Sequence, residues 1–527
     1  MASIYTDPCC DGTAAAVAGE GVCPRQDGPW VLAATILASS IVMIDGTVVN
    51  VVLPILQAEL SATAAQLQWI VESYALFLAA LLLLGGAMGD RFGRRLVFTI
   101  GVAVFGAASL ACALAPSTNA LIIARAAQGV GGALLVPGSL AILGASFAEK
   151  ERGRAIGTWS AATALSIAVG PILGGWLAEN VSWRWIFLIN LPLAAAVIAI
   201  TAWRVPESRD ENISALDYRG AALATLGLGA SIYALIEASH LGLTAAPVLV
   251  AGIVGIVSLC LFAWSQTVTD HPMVPVSLFE SKTFTGANLL TVLLYGALGA
   301  AFFILPFNLI QLHGYSVTAA AAVFLPFVII MGLFSRYVGD LADRWGARPL
   351  LIVGPAIAAV GFAMYLLPGT QGSYWTTFFP AILVQSIGMT LTVTPLTSVV
   401  MSSVPEGSFG IASGINNIAS RAAGLIAIAL FGLIFLTISN ALFQQNLAAA
   451  LPEQAASLAG LSMSFGALDI DQALDAALVE PIQAASDAAF LFSFRVSYAM
   501  FALMAGASAL IAFFTIEPAR YSAASRS

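Results

Sequence analysis

The chain has 527 residues, of which 59% are hydrophobic and only 9% are charged. Soluble proteins carry about 25% charged residues, so this composition excludes a soluble enzyme. The formal net charge is −8, and no basic stripe is present, which argues against a nucleic-acid partner. Apolar runs of about 20 residues recur from Trp30 almost to the C-terminus, so the sequence predicts an all-α integral membrane protein whose solvent is the lipid bilayer.

The apolar runs divide at polar breaks into fourteen predicted membrane spans, at about 30–54, 68–88, 96–115, 119–146, 155–178, 184–203, 220–238, 247–265, 284–311, 316–338, 349–367, 374–402, 409–438 and 492–516. An even number of spans places both termini on one side of the membrane. Most Lys and Arg residues fall in the segments on that same side, which the positive-inside rule identifies as the cytoplasm. We therefore expect a multi-pass protein of the cytoplasmic (inner) membrane with both termini in the cytoplasm.

The cysteines do not predict a disulfide framework or a metal site. Cys9, Cys10 and Cys23 lie in the N-terminal tail, and the three histidines of the chain are remote from them in sequence. The tail does not resemble a signal peptide, so we expect the first helix to remain as an anchor.

An internal repeat predicts the domain organisation. The segment GAMGDRFGRR begins at Gly86 and the related segment GDLADRWGAR begins at Gly339, an offset of 253 residues. Each segment joins two apolar spans, so we interpret each as a short hairpin between the second and third helices of a six-helix half. The predicted regions are a cytoplasmic tail (1–28), an N-terminal bundle (29–204), an inserted two-helix segment (205–275), a C-terminal bundle (276–516, with an acidic outer connection at 439–490) and a second cytoplasmic tail (517–527).

Several ordered motifs carry a family resemblance. The hairpin GDRFGRR, the run ARAAQGVGGALLVPGSLAIL from Ala124 and the stretch GPILGGWLAENVSWRWIFLINLP from Gly170 resemble signature motifs of the major facilitator superfamily. The stretches DGTVVNVVLPIL from Asp45 and QWIVESYAL from Gln68 are similar to its fourteen-helix drug:proton antiporter branch. This resemblance implies a major facilitator fold of 6+2+6 helices. It also implies export of small amphiphilic or cationic compounds, driven by the proton gradient without a bound cofactor.

Three charged residues in the first half are candidates for proton coupling. Asp45 is predicted about 13 Å before the outer end of the first helix, where a charge costs at least about 2.5 kcal/mol. A buried carboxyl group can alternate between its charged and neutral forms, although a structural hydrogen bond to a neighbouring helix would also explain this residue. Arg125 requires a carboxylate or carbonyl partner, and the resemblance ties it to the acid of the first helix. Glu72 is predicted in the first turn of the second helix. It is either a second titrating group or an acid whose negative charge interacts favourably with the positive end of the helix dipole.

Two further sets of residues follow the family motifs. The resemblance implies that the first hairpin and its repeat form a cytoplasmic latch, with candidate residues Gly89, Asp90, Arg91, Gly93, Arg94, Arg95, Asp343 and Arg344. The fifth helix has a bendable, close-packing face that resembles the antiporter motif, which favours export, with residues Gly157, Gly170, Pro171, Gly174 and Gly175. Close packing or the ordinary basic character of inner loops would also explain these sets.

The second half supplies candidates for a mixed aromatic and polar substrate pocket, although aromatic residues in spans also serve packing alone. These candidates are Tyr295, Phe302, Phe303, Asn308, Phe324, Phe327, Gln385, Asn416 and Asn417. Gln385 lies near the position that the repeat assigns to the counterpart of Arg125. The proton machinery is therefore predicted to be confined to the first half.

The leading hypothesis is a proton-coupled exporter of drugs or other amphiphiles, whose partners are the substrate, protons and the bilayer. The alternative is a proton-driven transporter of one specific metabolite, lipid or sugar conjugate. A receptor or channel would not require the repeated hairpins and the buried acid and arginine. The sequence has no Walker-type loop, nucleophile triad or metal-ligand cluster that would indicate an enzyme or an ATP-driven pump. It does not fix the oligomeric state, and a monomer would suffice.

Overall fold

The structure is a computed structural model that describes residues 27–517 with gaps at 148, 210–216, 271, 371–372, 405–408, 453, 455–457, 459–460, 466 and 469–475. Some helical side chains, including that of Asp343, also lie outside the described part. The tail cysteines Cys9, Cys10 and Cys23 fall outside the described residues as well. The described chain is almost entirely α-helical, and this confirms the predicted all-α membrane class.

The first part of the chain forms long helices separated by short turns. They are α1 Gly28–Leu60, α2 Ala64–Phe92, α3 Arg94–Ala113, α4 Thr118–Ser146, α5 Glu149–Asn180, the short α6 Trp185–Leu188 and its continuation α7 Asn190–Arg204. Local signals set these boundaries. α1 ends where Ser61 adopts a left-handed conformation, and α4 begins where the Ser117 side chain accepts a hydrogen bond from the Ala120 amide at 3.3 Å.

The remainder of the chain continues in the same style. Its elements are α8 Tyr218–Leu241, α9 Ala246–Val268, a 3-10 turn Val276–Glu280, α10 Lys282–Phe307 with a π-helical end Asn308–Leu312, α11 Val317–Ala322, α12 Leu325–Trp345, α13 Ala347–Met364, α14 Tyr374–Thr377, α15 Phe379–Ser402, α16 Phe409–Ala450, a hairpin of β1 Met463–Ser464 and β2 Ala467–Leu468, and α17 Ala476–Thr515.

Thirteen helices in the described part of the chain are long and apolar enough to cross a membrane. The fifth predicted span, 155–178, lies within α5, a helix of 32 residues that is not among the thirteen. The protein is therefore a multi-pass membrane protein, and the total of fourteen spans stays a prediction. Large apolar side chains point outward, such as Ile123, Leu503 and Phe514, which are 72%, 73% and 77% exposed. A bilayer gives such side chains an apolar solvent.

The predicted outer connection 439–490 is shorter than expected. α16 continues to Ala450 and α17 begins at Ala476, so the connection between them runs only from 451 to 475. The stretch ALFQQNLAAA has no acid or Pro and ends in three alanines, the strongest helix formers, so the helix persists after the hydropathy falls. The stretch LDIDQALDAALVEPIQ, which begins at Leu468 in this connection, predicts short amphipathic helices. Its residues 469–475 lie outside the described part, and from Ala476 it forms the start of α17.

The hairpin places one aromatic side chain against helices. Phe465 is 1% exposed, and its ring centroid lies 5.2 Å from that of Phe303, 5.3 Å from Phe307 and 5.8 Å from Phe435. The Asn440 side chain accepts a hydrogen bond from the Met463 amide at 2.8 Å and donates one to its carbonyl at 3.3 Å. These contacts attach the connection to α10 and α16.

The chain falls into two compact units. Unit 1 comprises the chain up to Ala62, Trp69–Gly229 and Gly255–Met273, and unit 2 comprises Thr63–Gln68, Ala230–Val254 and the chain from Val274. In unit 1, α1 packs on α4, α5 and α7, while α3 packs on α4 and α7. In unit 2, α10 packs on α15, α16 and α17, while α13 packs on α15 and α17. The same set of helix pairings thus occurs twice, as an internal repeat requires. The predicted boundaries of the bundles and the insertion stay predictions.

Glycines allow the helices around the candidate site to approach closely. A Cβ atom on Gly131 of α4 would lie 2.6 Å from the Phe105 backbone nitrogen, and one on Gly129 would overlap the Tyr74 carbonyl oxygen. Because the obstacle in each case is backbone rather than a movable side chain, these two glycines of α4 allow α2 and α3 to approach it closely at these points.

Candidate functional site

Asp45 lies near the middle of α1, about 22 Å from Leu60 at 1.5 Å per residue. The predicted distance to the helix end was shorter because α1 continues six residues past the predicted boundary. The Asp45 side chain is fully buried and forms an ion pair with Arg125 of α4, which is 1% exposed. The structure therefore brings these two predicted residues together inside unit 1.

Neutral polar side chains complete the surroundings of the ion pair. Asp45 Oδ1 accepts hydrogen bonds from Gln128 Nε2 at 3.1 Å and from Asn190 Nδ2 at 3.3 Å. The same two amide groups also donate to Ser109 Oγ, at 2.8 and 3.3 Å. Helices α1, α3, α4 and α7 thus meet at one buried polar network, which lowers the cost of a carboxylate at membrane depth.

Helix α2 holds the arginine from the other side. Arg125 Nε donates to the Ile70 carbonyl at 3.1 Å, and the guanidinium lies 4.2 Å from the centroid of the Tyr74 ring. Tyr74 in turn donates from its hydroxyl to the Val42 carbonyl at 3.2 Å. Arg125 therefore has a carboxylate, a carbonyl and an aromatic face as partners, which satisfies its predicted need for either a carboxylate or a carbonyl.

The neutral members of this network are not among the residues predicted from the sequence. Gln128 is three residues after Arg125 and so lies on the same face of α4, a spacing that could have indicated it. Nothing distinguishes Asn190, Ser109 or Tyr74 from ordinary residues in an apolar stretch.

Glu72 occupies a different position from the predicted one. α2 begins at Ala64, four residues before the predicted span, so Glu72 lies in the third turn, about 12 Å along the helix rather than in its first turn. Its side chain is fully buried, and neither carboxyl oxygen has a hydrogen-bond partner among the described residues. An acid in such surroundings is costly to hold charged, so its presence needs an explanation beyond the helix dipole.

The two repeated hairpins share an unusual backbone feature. Gly93 and Gly346, which occupy equivalent places 253 residues apart, have φ values of +116° and +82°. Residues with a side chain rarely adopt these angles, so both turns require glycine. In the first hairpin, Arg94 Nε at the start of α3 donates to Asp90 Oδ1 at the end of α2, at 2.7 Å across the turn.

A glutamate beyond α7 also holds the first hairpin. Glu207 accepts hydrogen bonds from the Arg95 amide at 3.0 Å and from the Leu96 amide at 3.1 Å, at the start of α3. Arg94 donates from its amide to the Ser208 carbonyl at 2.9 Å. Glu207 was not predicted, because its partner groups are backbone amides that leave no trace in the sequence.

The repeat extends to the side chains of the hairpins. Arg95 donates to the Ala202 carbonyl at 2.9 Å, and its equivalent Arg348 donates to the Phe513 carbonyl at 2.8 Å. Each arginine thus contacts the last turns of a helix of its own unit, α7 for Arg95 and α17 for Arg348, where the dipole favours a cation.

The remaining latch candidates take less part in these contacts. Gly89 is buried in the last turn of α2, and the Arg91 guanidinium lies 5.5 Å from the Phe92 ring centroid. Arg344 is exposed in the last turn of α12, and the side chain of Asp343 lies outside the described part.

The antiporter-motif residues of α5 face α1 in part. A Cβ atom on Gly170 would lie 2.9 Å from Thr47 Oγ1, and one on Gly174 would overlap Val48. Pro171 lies inside the helix and Gly175 is buried, whereas a Cβ atom on Gly157 would meet nothing within 4 Å in the described part. Close packing on α1 therefore explains Gly170 and Gly174 directly.

The predicted substrate-pocket residues separate into several groups. Phe302 packs its ring against Phe324 and Phe327, with centroids 4.8 and 5.3 Å apart, whereas Phe303 contacts the ring of Phe465. Aromatic packing therefore accounts for these phenylalanines.

Gln385 and Asn308 are isolated from that cluster. Gln385 Oε1 accepts a hydrogen bond from the Tyr365 hydroxyl at 3.4 Å. Asn308 is 1% exposed, and its side-chain amide has no hydrogen-bond partner within the described regions.

Three of the pocket candidates do line one cavity. Tyr295, Asn416 and Asn417 surround a space of about 130 Å³ within unit 2. Its other lining residues are Thr397, Val400, Ser413 and Ser420. Three of the nine predicted pocket residues therefore meet at this cavity.

Comparison with known proteins identifies the family. A profile of the Major Facilitator Superfamily matches residues 35–428, most of the chain. The chain belongs to this superfamily. The multidrug resistance protein Stp of Mycobacterium tuberculosis is 33% identical over 424 residues, covering 80% of this chain and 78% of its own. The multidrug efflux pump LfrA of Mycolicibacterium smegmatis is 33% identical over 496 residues, covering 92% and 96%.

Other comparisons agree. The methylenomycin A resistance protein of Streptomyces coelicolor is 34% identical over 419 residues, covering 79% of this chain and 88% of its own. The crystal structure of a bacterial homologue of the human lysosomal transporter Spinster matches with a TM-score of 0.64 at 17% identity, covering 94% of this chain and 98% of its own. The predicted major facilitator fold is thereby confirmed.

Proposed function

We propose that this major facilitator protein is a proton-coupled exporter of small amphiphilic or cationic compounds that works by alternating access. The relatives with about 33% identity are named for multidrug resistance and efflux, which supports a drug-like substrate. The observation that carries the proposal is the buried Asp45–Arg125 ion pair and its polar network. The proton gradient supplies the energy in this proposal, and no cofactor takes part.

In this proposal, a proton is coupled to movement through the Asp45–Arg125 pair. When Asp45 takes up a proton, it loses its charge and therefore most of its attraction for Arg125. Arg125 keeps its contacts with Ile70 and Tyr74 on α2, so the connection that weakens is the one between α1 and α4. Protonation thus changes the balance of contacts between these helices, as a proton-driven conformational cycle requires.

The other predicted residues have supporting roles in this proposal. Glu72 is a second titrating group. The first hairpin, with Asp90, Arg94 and Arg95, is a cytoplasmic latch whose contacts with residues after α7 form in one state and break in another. The protein lies in the inner membrane with both termini in the cytoplasm, in keeping with the distribution of Lys and Arg.

The test uses purified protein in liposomes with an imposed pH gradient and a pH-sensitive dye inside. We expect a transported amphiphilic cation, such as ethidium, to cause proton movement with the wild type. The Asp45→Asn variant should lose this movement, because an amide cannot carry the proton. Asp487→Asn, in a half-buried acid of α17 outside the network, is the matched control and should behave as the wild type.

Full proton-coupled transport by Asp45→Asn would refute the assignment of coupling to this residue. If the wild type moved no protons with any amphiphile tested, the alternative of one specific metabolite, lipid or sugar conjugate would replace multidrug export.

A further inference from the structure

The outer surface of unit 2 carries an apolar groove. It lies where α10, α16 and α17 meet, and its volume is about 410 Å³. Eleven described residues line it, and none of their side chains has a hydroxyl, amide or charged group. A water molecule needs several polar partners, so water does not fill such a space favourably. Apolar atoms gain dispersion contacts only from other atoms beside them, so the groove favours an apolar occupant.

Small residues form the floor of the groove. A Cβ atom on Gly296 of α10 would lie 3.4 Å from the Ala423 carbonyl oxygen of α16 and 3.4 Å from Met504 Cε of α17. Ala423 and Ala427, which also line the groove, are buried. Because these residues are small, the three helices approach closely at the floor, and the space above it is left to an occupant from outside the chain.

The walls of the groove belong to the surface that faces the bilayer. Leu503 of α17, one of the outward-pointing side chains described above, lines the groove and is 73% exposed. Val292 of α10 and Ile426 and Leu430 of α16 line it as well and are also exposed. The groove is therefore continuous with the lipid-facing surface, and the molecules that reach it are those of the bilayer.

The depth of the groove decides which part of a lipid reaches it. α10 and its π-helical end form one membrane-crossing segment, Lys282–Leu312. At 1.5 Å per residue, Gly296 lies about 21 Å from one end of this segment and about 24 Å from the other. The hydrocarbon core is about 30 Å thick, so headgroups lie about 15 Å from its centre. A headgroup therefore does not reach the groove, whereas the end of an acyl chain does.

We propose that this groove holds the terminal part of an acyl chain of a bilayer lipid, and that this chain stays longer than the lipid around it. A chain beside a single helix contacts protein on one side, whereas a chain in the groove contacts three helices. Each additional contact is weak, but the contacts add up. Met500 and Met504 have long, flexible side chains that adapt to the shape of such a chain. This lipid site is independent of the proposed export function and requires no particular headgroup.

Photochemical labelling tests the site. Purified protein is reconstituted in vesicles of phosphatidylethanolamine and phosphatidylglycerol that contain a trace of phosphatidylethanolamine with a diazirine at the end of one acyl chain. Irradiation attaches the chain end to nearby side chains, and mass spectrometry of the peptides locates the attachment. The reference surface is α9, where Ile253 and Ile256 are exposed near the middle of the helix and do not line the groove.

We expect labelling of Leu503 and Met504 in the wild type to exceed that of Ile253 about fivefold or more, which corresponds to about ten additional carbon–carbon contacts. Ile426→Trp fills the groove from an exposed position and should reduce this labelling to the level of α9. Val292→Phe fills it from α10 and serves if Ile426→Trp disturbs the fold, which the thermal unfolding midpoint reports. The matched control, Ile256→Trp, should leave the labelling of the groove unchanged.

Three outcomes would overturn the lipid site. Labelling of the groove at the level of α9, or labelling that neither filling variant reduces, would show ordinary contact with the surrounding lipid. Labelling that disappears when the same chain is carried by phosphatidylglycerol would show recognition of a headgroup instead of the chain. Cross-links between two copies of the protein at the groove, without attached lipid, would show that a second copy covers it.

Discussion

Gln128 links the charge pair to α3. Its amide nitrogen donates to Asp45 and Ser109, and its carbonyl oxygen accepts from Arg125 Nη1 at 2.8 Å and from Cys112 Sγ at 3.2 Å. A single neutral side chain thus connects the acid, the base and a third helix. Any rearrangement of the Asp45–Arg125 pair must also rearrange the bonds of Gln128, which makes the network respond as a unit.

The glycines beside this network carry a stability prediction. Gly129→Ala should destabilise the protein by about 1–3 kcal/mol, because the added methyl group would overlap the Tyr74 carbonyl, which is backbone and cannot rotate away. The measurement is the thermal unfolding midpoint of the purified protein in detergent.

Gly144→Ala is the control on the same helix, since its Cβ would meet nothing within 4 Å in the described part. It should leave the midpoint unchanged or raise it slightly, because Ala favours helix over Gly. A Gly129→Ala midpoint equal to that of Gly144→Ala would show that α2 and α4 are not packed as described.

The charged residues of this site are predictable from the sequence, because a charged residue inside an apolar run is energetically costly and therefore conspicuous. Asp45 and Arg125 were expected and are found in contact. Asn190 and Ser109 were not, since neutral polar residues are common in membrane helices and their importance arises only when tertiary packing brings them to Asp45. The roles of all these residues in transport stay predictions.

The start of α3 depends on a residue from another element. The first amides of a helix lack partners within it, and Gly93 offers no side chain to cap them. Glu207, which follows α7, accepts from two of these amides and adds a negative charge near the positive end of the helix dipole. The ends of α3 and α7 are therefore stabilised together.

Removing this cap should loosen the first turn of α3. For Glu207→Ala we expect hydrogen exchange at the Arg95 and Leu96 amides to accelerate about five- to thirtyfold, which corresponds to 1–2 kcal/mol for a lost cap. The amides at the start of α13 serve as an internal reference, and Glu280→Ala, at an exposed site, is the control variant. Unchanged exchange at Arg95 and Leu96 would contradict the capping role.

The ends of the helices were predicted less accurately than their apolar portions. Hydropathy identified the apolar portions of α16 and α17, but both helices continue where the sequence becomes polar. Backbone hydrogen bonds continue regardless of hydropathy, and alanine-rich segments sustain them in water as well as in lipid.

At the scale of the whole molecule, the two repeats resemble each other more closely in structure than in sequence. The two hairpin segments share only a few identities, yet their glycines have the same unusual backbone sign and their arginines bind the same part of each unit. The sequence revealed the offset of 253 residues. It did not reveal which unit each part of α8 and α9 joins, because the inserted helices have no counterpart in the repeat.

The orientation in the membrane is testable with fusions. Green fluorescent protein at the C-terminus should fluoresce in a bacterial host, because it folds in the cytoplasm, and alkaline phosphatase at the same place should be inactive. The same two reporters inserted in the connection 451–475 should give the opposite pattern. Phosphatase activity at the C-terminus would reverse the proposed topology.

The packing of Phe465 against the rings of Phe303, Phe307 and Phe435 has an evolutionary consequence. The ring contacts and the two Asn440 hydrogen bonds form one joint between the hairpin and the helices. Loss of Phe465 would remove the ring contacts and loss of Asn440 would remove the bonds to Met463, so either change would weaken the attachment of the hairpin to the helices. Selection should therefore treat Asn440 and Phe465 as one inherited character, gained or lost together as the lineage diverges.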